Sequence, residues 1–130
     1  MKAALQRVLL VEDDSDIRTI VKASLEMVGG LQVRACASGL QALEAVKEWE
    51  PQLALLDVMM PDMDGPGVMA KLRALPQWSG LPVIFLTAKT ATAEVQRLRA
   101  LGAAGVLMKP FDPMTLPQQV KDIWEQNRSD

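Results

Sequence analysis

The chain contains no histidine and no tyrosine among its 130 residues. Without imidazole there is no Ser-His triad, no histidine general base and no histidine metal ligand. The single cysteine, Cys36, excludes an internal disulfide and a cysteine-rich metal site, and we expect it to be a small buried apolar residue rather than a reactive thiol. Any metal held by these side chains must therefore be a hard cation bound through oxygen.

The sequence also lacks a long apolar run and a strong excess of charge. No run approaches the ~18 residues of a membrane span, and Arg7 interrupts the apolar residues near the N-terminus, which argues against a signal peptide. The net charge of −2 favours neither nucleic acid nor an anionic membrane as a direct partner. We expect a cytoplasmic protein with a single domain over 1–130, a core at about 6–126 and a polar tail at 127–130.

Five short apolar runs alternate with five stretches of helical periodicity. The runs at 8–11, 53–56 and 83–86 are continuously apolar, and those at 33–36 and 106–108 complete the set. Short continuous runs are typical of strands covered on both faces. The alternation therefore predicts a parallel sheet with helices on both faces, joined by right-handed crossovers.

Local signals mark most helix ends. Gly29-Gly30 ends the first helix, Ser38 with Gln41 forms a capping box for the second, Pro76 stops the third and Gly102 the fourth.

The start of the fifth helix has two interpretations. If Asp112 caps it with Pro113 at the first position, Pro117 lies too deep for a residue without an N–H; alternatively the helix begins near Thr115. The sequence leaves both open.

Polar residues follow four of the predicted strands. Because the carboxyl ends of parallel strands emerge at one edge of a sheet, we expect these residues to meet there: Glu12, Asp13 and Asp14 after the first strand, Asp57 after the third, Thr87 after the fourth and Lys109 after the fifth. Several carboxylates close together repel unless a cation lies among them, and Mg²⁺ suits an all-oxygen site. A carboxylate nucleophile, a divalent ion, an ammonium and a hydroxyl are the parts needed for phosphoryl transfer.

Each of these residues also has a simpler interpretation on its own. The acidic triplet is commonly a solvated turn, with Asp14 or Ser15 capping the next helix. Thr87 alone is a β-branched strand residue, and Lys109 alone is a loop residue. The evidence for a site is therefore the convergence of these positions on one edge, not any single residue.

Five stretches, in order, resemble the receiver domains of two-component response regulators. They are VLLVEDD at 8–14, LDVMMPDMDG at 56–65, LTA at 86–88, GAAG at 102–105 and KPFD at 109–112. The resemblance covers essentially the whole chain. It implies a three-layer, flavodoxin-like (βα)5 fold with five parallel strands in the order 2-1-3-4-5, in agreement with the alternation of strands and helices.

The resemblance also implies a role for each site residue. Asp57 matches the phospho-accepting aspartate, Lys109 the lysine that pairs with it or with its phosphate, and Thr87 the switch hydroxyl. Glu12 and Asp13 match the acidic pair that binds Mg²⁺, Asp13 directly and Glu12 through water.

The implied metal site is completed by Asp57 and by the backbone carbonyl of Met59, and Mn²⁺ could substitute for Mg²⁺. The implied donor is a phosphohistidine on a sensor histidine kinase or histidine phosphotransfer protein. The implied output is an unidentified partner or a fused effector domain, and a homodimer through the fourth helix, fifth strand and fifth helix is a further expectation. On this interpretation the chain is a signalling domain that assists its own phosphorylation, not an enzyme.

Three positions bear on how such a domain would behave. Val106 stands where the family often has Tyr or Phe, so an aromatic switch at this position is excluded. Met59 and Lys89 lie two residues after Asp57 and Thr87, on the route of a water attacking the phospho-aspartate. We hypothesise that Met59 hinders that water and prolongs the life of the phosphoryl group.

Two rival functions are weighed against this one. A small aspartyl-phosphate phosphohydrolase commonly needs a second acid two residues after its nucleophile, where this chain has Met59. A degenerate receiver acting as a constitutive protein-binding module would lack a site residue, and none is missing here.

Overall fold

The computed structural model describes residues 4–89 and 91–127. Five parallel strands form one sheet in the order β2-β1-β3-β4-β5. They are β1 (Arg7–Val11), β2 (Gln32–Cys36), β3 (Leu53–Asp57), β4 (Val83–Thr87) and β5 (Gly105–Met108). All residues of β3 and β4 are buried, whereas β2 at the sheet edge alternates between exposed and half-buried residues until its last residue, Cys36, which is buried. The continuous apolar runs thus belong to the strands that helices cover on both faces.

Helices follow the strands and cover both faces of the sheet. They are α1 (Ser15–Ala23), which continues into a π-helical segment (Ser24–Val28), α2 (Gly39–Ala45), α3 (Gly65–Arg73), α4 (Thr92–Ala100) and α5 (Leu116–Asn127), with a 3₁₀ turn at Pro76–Trp78. One core joins Leu9, Val11 and Phe85 of the sheet to α2, α3 and α4, and the other joins Val8 and Leu10 to α1 and α5. The flavodoxin-like fold and strand order expected from the sequence are confirmed.

Most helix ends form where the sequence predicts them, with one change of detail. Gly30 after the π-helical segment and Gly102 after α4 have φ values of 68° and 103°, a conformation that glycine adopts readily. Ser38 Oγ accepts a hydrogen bond from the Gln41 N–H at 3.2 Å, but Gln41 Oε1 reaches back to the N–H of Ala37 rather than to that of Ser38. The reciprocal half of the capping box is therefore displaced by one residue.

The fifth helix begins at Leu116, which agrees with the interpretation that it starts near Thr115 and not with a start at Pro113. The turn before it is closed by the carbonyl of Asp112, which accepts from the N–H groups of Thr115 and Leu116. Pro117 is the second helical residue, where an N–H has no intrahelical partner in any case. Because proline has no N–H, Pro117 cannot donate to the Pro113 carbonyl four residues before it. That carbonyl accepts a hydrogen bond from Ser24 Oγ.

The chain ends named from the sequence are only partly described. Asn127, assigned to the polar tail, is the last residue of α5, and its side chain donates to the carbonyls of Ala104 and Ile123. Residues 128–130 of that tail lie outside the described residues. Within the described ranges, no helix combines the length and apolar character needed to cross a bilayer.

Candidate functional site

Four strand ends meet at one edge of the sheet. Asp57 is the last residue of β3 and Thr87 the last of β4, while Glu12 directly follows β1 and Lys109 directly follows β5. Glu12, Asp57 and Thr87 are all buried. The Lys109 N–H donates to the Thr87 carbonyl at 2.8 Å, which ties the end of β5 to that of β4. The predicted convergence is therefore present.

Lys109 forms the centre of an ion cluster. Its Nζ lies 2.8 Å from Asp57 Oδ1 and 2.8 Å from Glu12 Oε1. The Glu12 and Asp57 side chains are 1% and 6% exposed, and that of Lys109 is 18% exposed. The contact with Asp57 is the one that the resemblance implies. The contact with Glu12 joins residues 97 apart in sequence and was not predicted.

Burial and charge perturb two groups of this cluster. Burial raises the pKa of Glu12 to about 7, and the charge of Asp57 adds to the rise, although hydrogen bonds from Lys109 and the Asp14 N–H oppose it. Burial alone would lower the pKa of Lys109, but its hydrogen bonds to Asp57 and Glu12 outweigh that effect and raise it. The cluster therefore favours additional positive charge.

Three carboxylates are placed to hold a metal ion. Glu12, Asp13 and Asp57 each offer an oxygen, and these atoms lie within 4.8 Å of one another. Glu12 and Asp57 are buried, whereas Asp13 is exposed, which leaves one side open to water. Three carboxylates face one ammonium, and all the donors are oxygen atoms. The residues present therefore fit a hard divalent cation such as Mg²⁺.

Of the three positions expected to modulate the site, Lys89 hydrogen-bonds to a site residue and Val106 packs against the core. Met59 is 65% exposed, and Lys89 is exposed with its N–H donating to Thr87 Oγ1 at 3.1 Å. Val106 is half-buried and packs against the core on the α2, α3 and α4 face. The part assigned to the Met59 carbonyl stays a prediction.

The loop after Asp57 is shaped by features that the sequence only hinted at. Asp62 has a φ of 67°, and the Met63 N–H donates to the Pro61 carbonyl, which closes a tight three-residue turn. A Cβ on Gly65 would lie 2.5 Å from the Asp57 carbonyl oxygen. Glycine is thus required where the loop returns to the strand end.

Two further features went unnoticed in the sequence. Arg18, on α1, donates to the backbone carbonyls of Glu12 and Asp13. An apolar groove of about 430 Å³ lies beside Lys109, between α1 and the segment that follows β5, and is lined by Ile17, Ile20, Ala88, Pro110, Phe111 and Pro113. The sequence signal for the Arg18 contacts is an arginine in the first turn of the helix that follows an acidic strand end. The groove has no such signal, because residues far apart in sequence line it.

Known proteins match this chain along nearly its whole length. The family described as "Response regulator receiver domain" matches residues 8–121. The DNA-binding response regulator MtrA of Mycobacterium tuberculosis is 40% identical over 121 residues, which are 93% of this chain and 51% of that protein. The response regulator Rre1 of Synechocystis is 36% identical over 115 residues, 88% of this chain and 50% of that protein. The chain spans about half the length of the curated relatives that it matches.

Solved structures agree with this match. The chemotaxis protein CheY4 of Vibrio cholerae superposes with a TM-score of 0.84 at 32% identity, covering 92% of this chain and 99% of that one. A response regulator from Chloroflexus aurantiacus, described as putative, superposes with a TM-score of 0.83 at 30% identity, covering 93% and 98%. By sequence, fold and arrangement of the strand-end residues, the chain belongs to the response regulator receiver domains of two-component signalling.

Proposed function

We propose that the chain accepts a phosphoryl group on Asp57 from a phosphohistidine and thereby switches an output surface. The observation that carries the proposal is the buried contact of Lys109 Nζ with Asp57 Oδ1, at a strand end that also holds the carboxylates of Glu12 and Asp13. This is an acceptor carboxylate held in place beside a fixed positive charge.

The transfer requires one bond to form and one to break. An oxygen of Asp57 attacks the phosphorus, the phosphorus–nitrogen bond of the donor breaks, and its electron pair remains on the imidazole. Lys109 is placed to neutralise a phosphoryl oxygen. Thr87 Oγ1 accepts the Lys89 N–H, which leaves the hydroxyl hydrogen available to donate to another oxygen.

A divalent cation belongs to the proposed reaction. Glu12, Asp13 and Asp57 would hold it, with the backbone carbonyl of Met59 as a further ligand. When bound, Mg²⁺ offsets the negative charge of the phosphoryl oxygens, and Mn²⁺, which also accepts oxygen ligands, could replace it.

Incubation with Mg²⁺ and acetyl phosphate separates this function from its two rivals. Stable labelling of the chain supports the phosphorylation switch. Rapid release of phosphate over many turnovers supports a phosphohydrolase, and no labelling supports a constitutive binding module. The exposed, apolar Met59 two residues after Asp57 favours slow release.

The donor protein must approach Asp57 at the edge of the sheet where the strand ends meet, here called the rim. The apolar groove beside Lys109 offers a docking face there. Ile20 is 48% exposed at this groove. We expect Ile20→Glu to slow transfer from a phosphohistidine protein by roughly tenfold or more, because a charge would be desolvated in the contact. Labelling by acetyl phosphate should be unchanged, since a small donor needs no docking face.

The matched control for Ile20→Glu is Leu40→Glu. Leu40 is 70% exposed on α2 and is not among the residues that line this groove. Quench-flow transfer from a phosphorylated kinase or phosphotransfer domain should leave Leu40→Glu at the original rate. Equal rates for the two variants would contradict docking at this groove.

Met59 provides a prediction about the lifetime of the phosphoryl group. Met59→Asn replaces an apolar side chain with one that can hydrogen-bond an attacking water. We expect dephosphorylation to accelerate roughly tenfold, which corresponds to about 1.4 kcal/mol in the barrier. Loss of label after removal of the donor gives the rate, and Met27→Asn, at a residue 84% exposed on the π-helical segment, is the control. An unchanged rate in Met59→Asn would contradict the hypothesis that Met59 prolongs the life of the phosphoryl group.

The output face, dimerisation and setting of the domain complete the proposal. With Val106 in place of an aromatic residue, the response would involve α4, β5 and α5 without aromatic rotation. Leu98 is the buried residue of α4, so this helix buries little apolar surface against the core.

The proposal also includes the output and setting of the domain. We propose output through an unidentified partner or a fused effector, a homodimer through this face, a single domain over 1–130 and a cytoplasmic location. Direct DNA binding is not part of the proposal, although the relatives named MtrA are described as DNA-binding.

A further inference from the structure

Arg18 lies against the acidic loop that follows β1. It is half-buried, and its Nη1 donates to the Glu12 carbonyl at 2.9 Å and to the Asp13 carbonyl at 3.3 Å. A guanidinium next to carboxylates commonly pairs with them, often through two hydrogen bonds. Among the residues that the structure describes, Arg18 forms no ion pair with a carboxylate. Arg18 therefore donates to backbone carbonyls of the loop, and the carboxylates of Glu12 and Asp13 receive no hydrogen bond from it.

The loop is fixed by these bonds together with two others. Glu12 Oε2 accepts the Asp14 N–H at 3.2 Å, and the Glu12 N–H donates to the Cys36 carbonyl at 3.0 Å. Once the peptide groups of Glu12 and Asp13 are fixed, the directions in which their side chains leave the backbone are fixed as well. The carboxylates are then held near Asp57 before any cation arrives, although three acids close together repel.

We propose that Arg18 is a positioning residue for the divalent metal site: by holding the carbonyls of Glu12 and Asp13 it pre-organises the two carboxylates that bind the ion. The inference rests on the proposed function, because it presupposes a cation at Glu12, Asp13 and Asp57. Arg18 acts through the backbone and is not itself a ligand.

Charge and positioning make opposite predictions for the loss of Arg18. If only its charge mattered, removing a positive group near the site would tighten cation binding. If it positions the ligands, removal lets the loop relax and weakens binding, and loss of an outer contact of this kind typically costs 10–100-fold in metal affinity. The sign of the change therefore decides between the two.

The test measures Mn²⁺ binding directly, from the electron paramagnetic resonance signal of the free ion. Arg18→Met keeps the length of the stem and removes the guanidinium. Arg18→Lys keeps the charge but lacks the planar fork. Arg99→Met, at an exposed arginine on α4, removes the same charge away from the rim. We expect Mn²⁺ affinity to fall about tenfold in Arg18→Met, to fall less in Arg18→Lys and to be unchanged in Arg99→Met.

A second measurement separates positioning from a general structural role. The Mg²⁺ concentration giving half-maximal labelling by acetyl phosphate should rise in Arg18→Met, while the rate at saturating Mg²⁺ should match that of the unchanged protein. Unchanged or tighter Mn²⁺ binding in Arg18→Met overturns the proposal. If Arg18→Met is unfolded without metal, Arg18→Lys decides: weaker binding supports positioning, and unchanged binding overturns it. Failure of the unaltered chain to bind Mn²⁺ would instead refute the proposed metal site.

Discussion

Asp57→Asn should abolish labelling of the chain by acetyl phosphate in the presence of Mg²⁺. An amide is close in shape to a carboxylate, but its oxygen is a poor nucleophile and it contributes no negative charge to a metal site. Asp57 is buried at the end of β3 and contacts Lys109, and it is the carboxylate that we propose as the acceptor. We expect the signal to fall to the background of the assay, the largest effect of any substitution proposed for this chain.

The matched control is Asp62→Asn, five residues further along the chain. Asp62 is exposed, and its φ of 67° is a conformation that Asn also tolerates, so the substitution preserves the turn. Intact-mass spectrometry should show one added phosphoryl group in this control and none in Asp57→Asn. Hydroxylamine should remove the group, as expected for an acyl phosphate. Labelling that persists in Asp57→Asn would place the acceptor elsewhere.

Lys109→Met should produce the largest loss of stability. Lys109 bridges two carboxylates that are almost completely buried, at 2.8 Å from each. Removing one partner from a buried ion pair leaves uncompensated charge and costs about 3–5 kcal/mol. We expect a loss of about 3 kcal/mol, near the lower limit of that range, because the Lys109 side chain is partly exposed. Urea unfolding without metal gives the free energy of unfolding.

Two further variants show whether the burial of the pair causes this loss. Lys47→Met breaks an ion pair with Glu44 in which both side chains are mostly exposed, and it should cost no more than about 0.5 kcal/mol. Adding Asp57→Asn to Lys109→Met removes one of the two unpaired carboxylates, so the double variant should be more stable than Lys109→Met alone. Equal losses for Lys109→Met and Lys47→Met would contradict the buried cluster.

Much of the fold could be predicted because its signals are local. The runs at 53–56 and 83–86 are continuously apolar since both faces of β3 and β4 are covered. Gly29-Gly30 and Gly102 end helices through backbone conformations that depend on a few neighbouring residues. The exact start of α5 was not predictable, because Pro117 is accommodated with help from Ser24 on another helix.

The sequence by itself determined the chemistry available at the site: oxygen ligands without histidine, a carboxylate at a strand end, and a lysine and a threonine at two other strand ends. The rule that parallel strands end at one edge was enough to place them together. Only the tertiary structure decided that Lys109 contacts Glu12 as well as Asp57, that Arg18 holds the loop carbonyls, and that an apolar groove lies beside them. The physical reason is range: composition and periodicity act over a few residues, whereas these contacts depend on strand register and on how helices pack against the sheet.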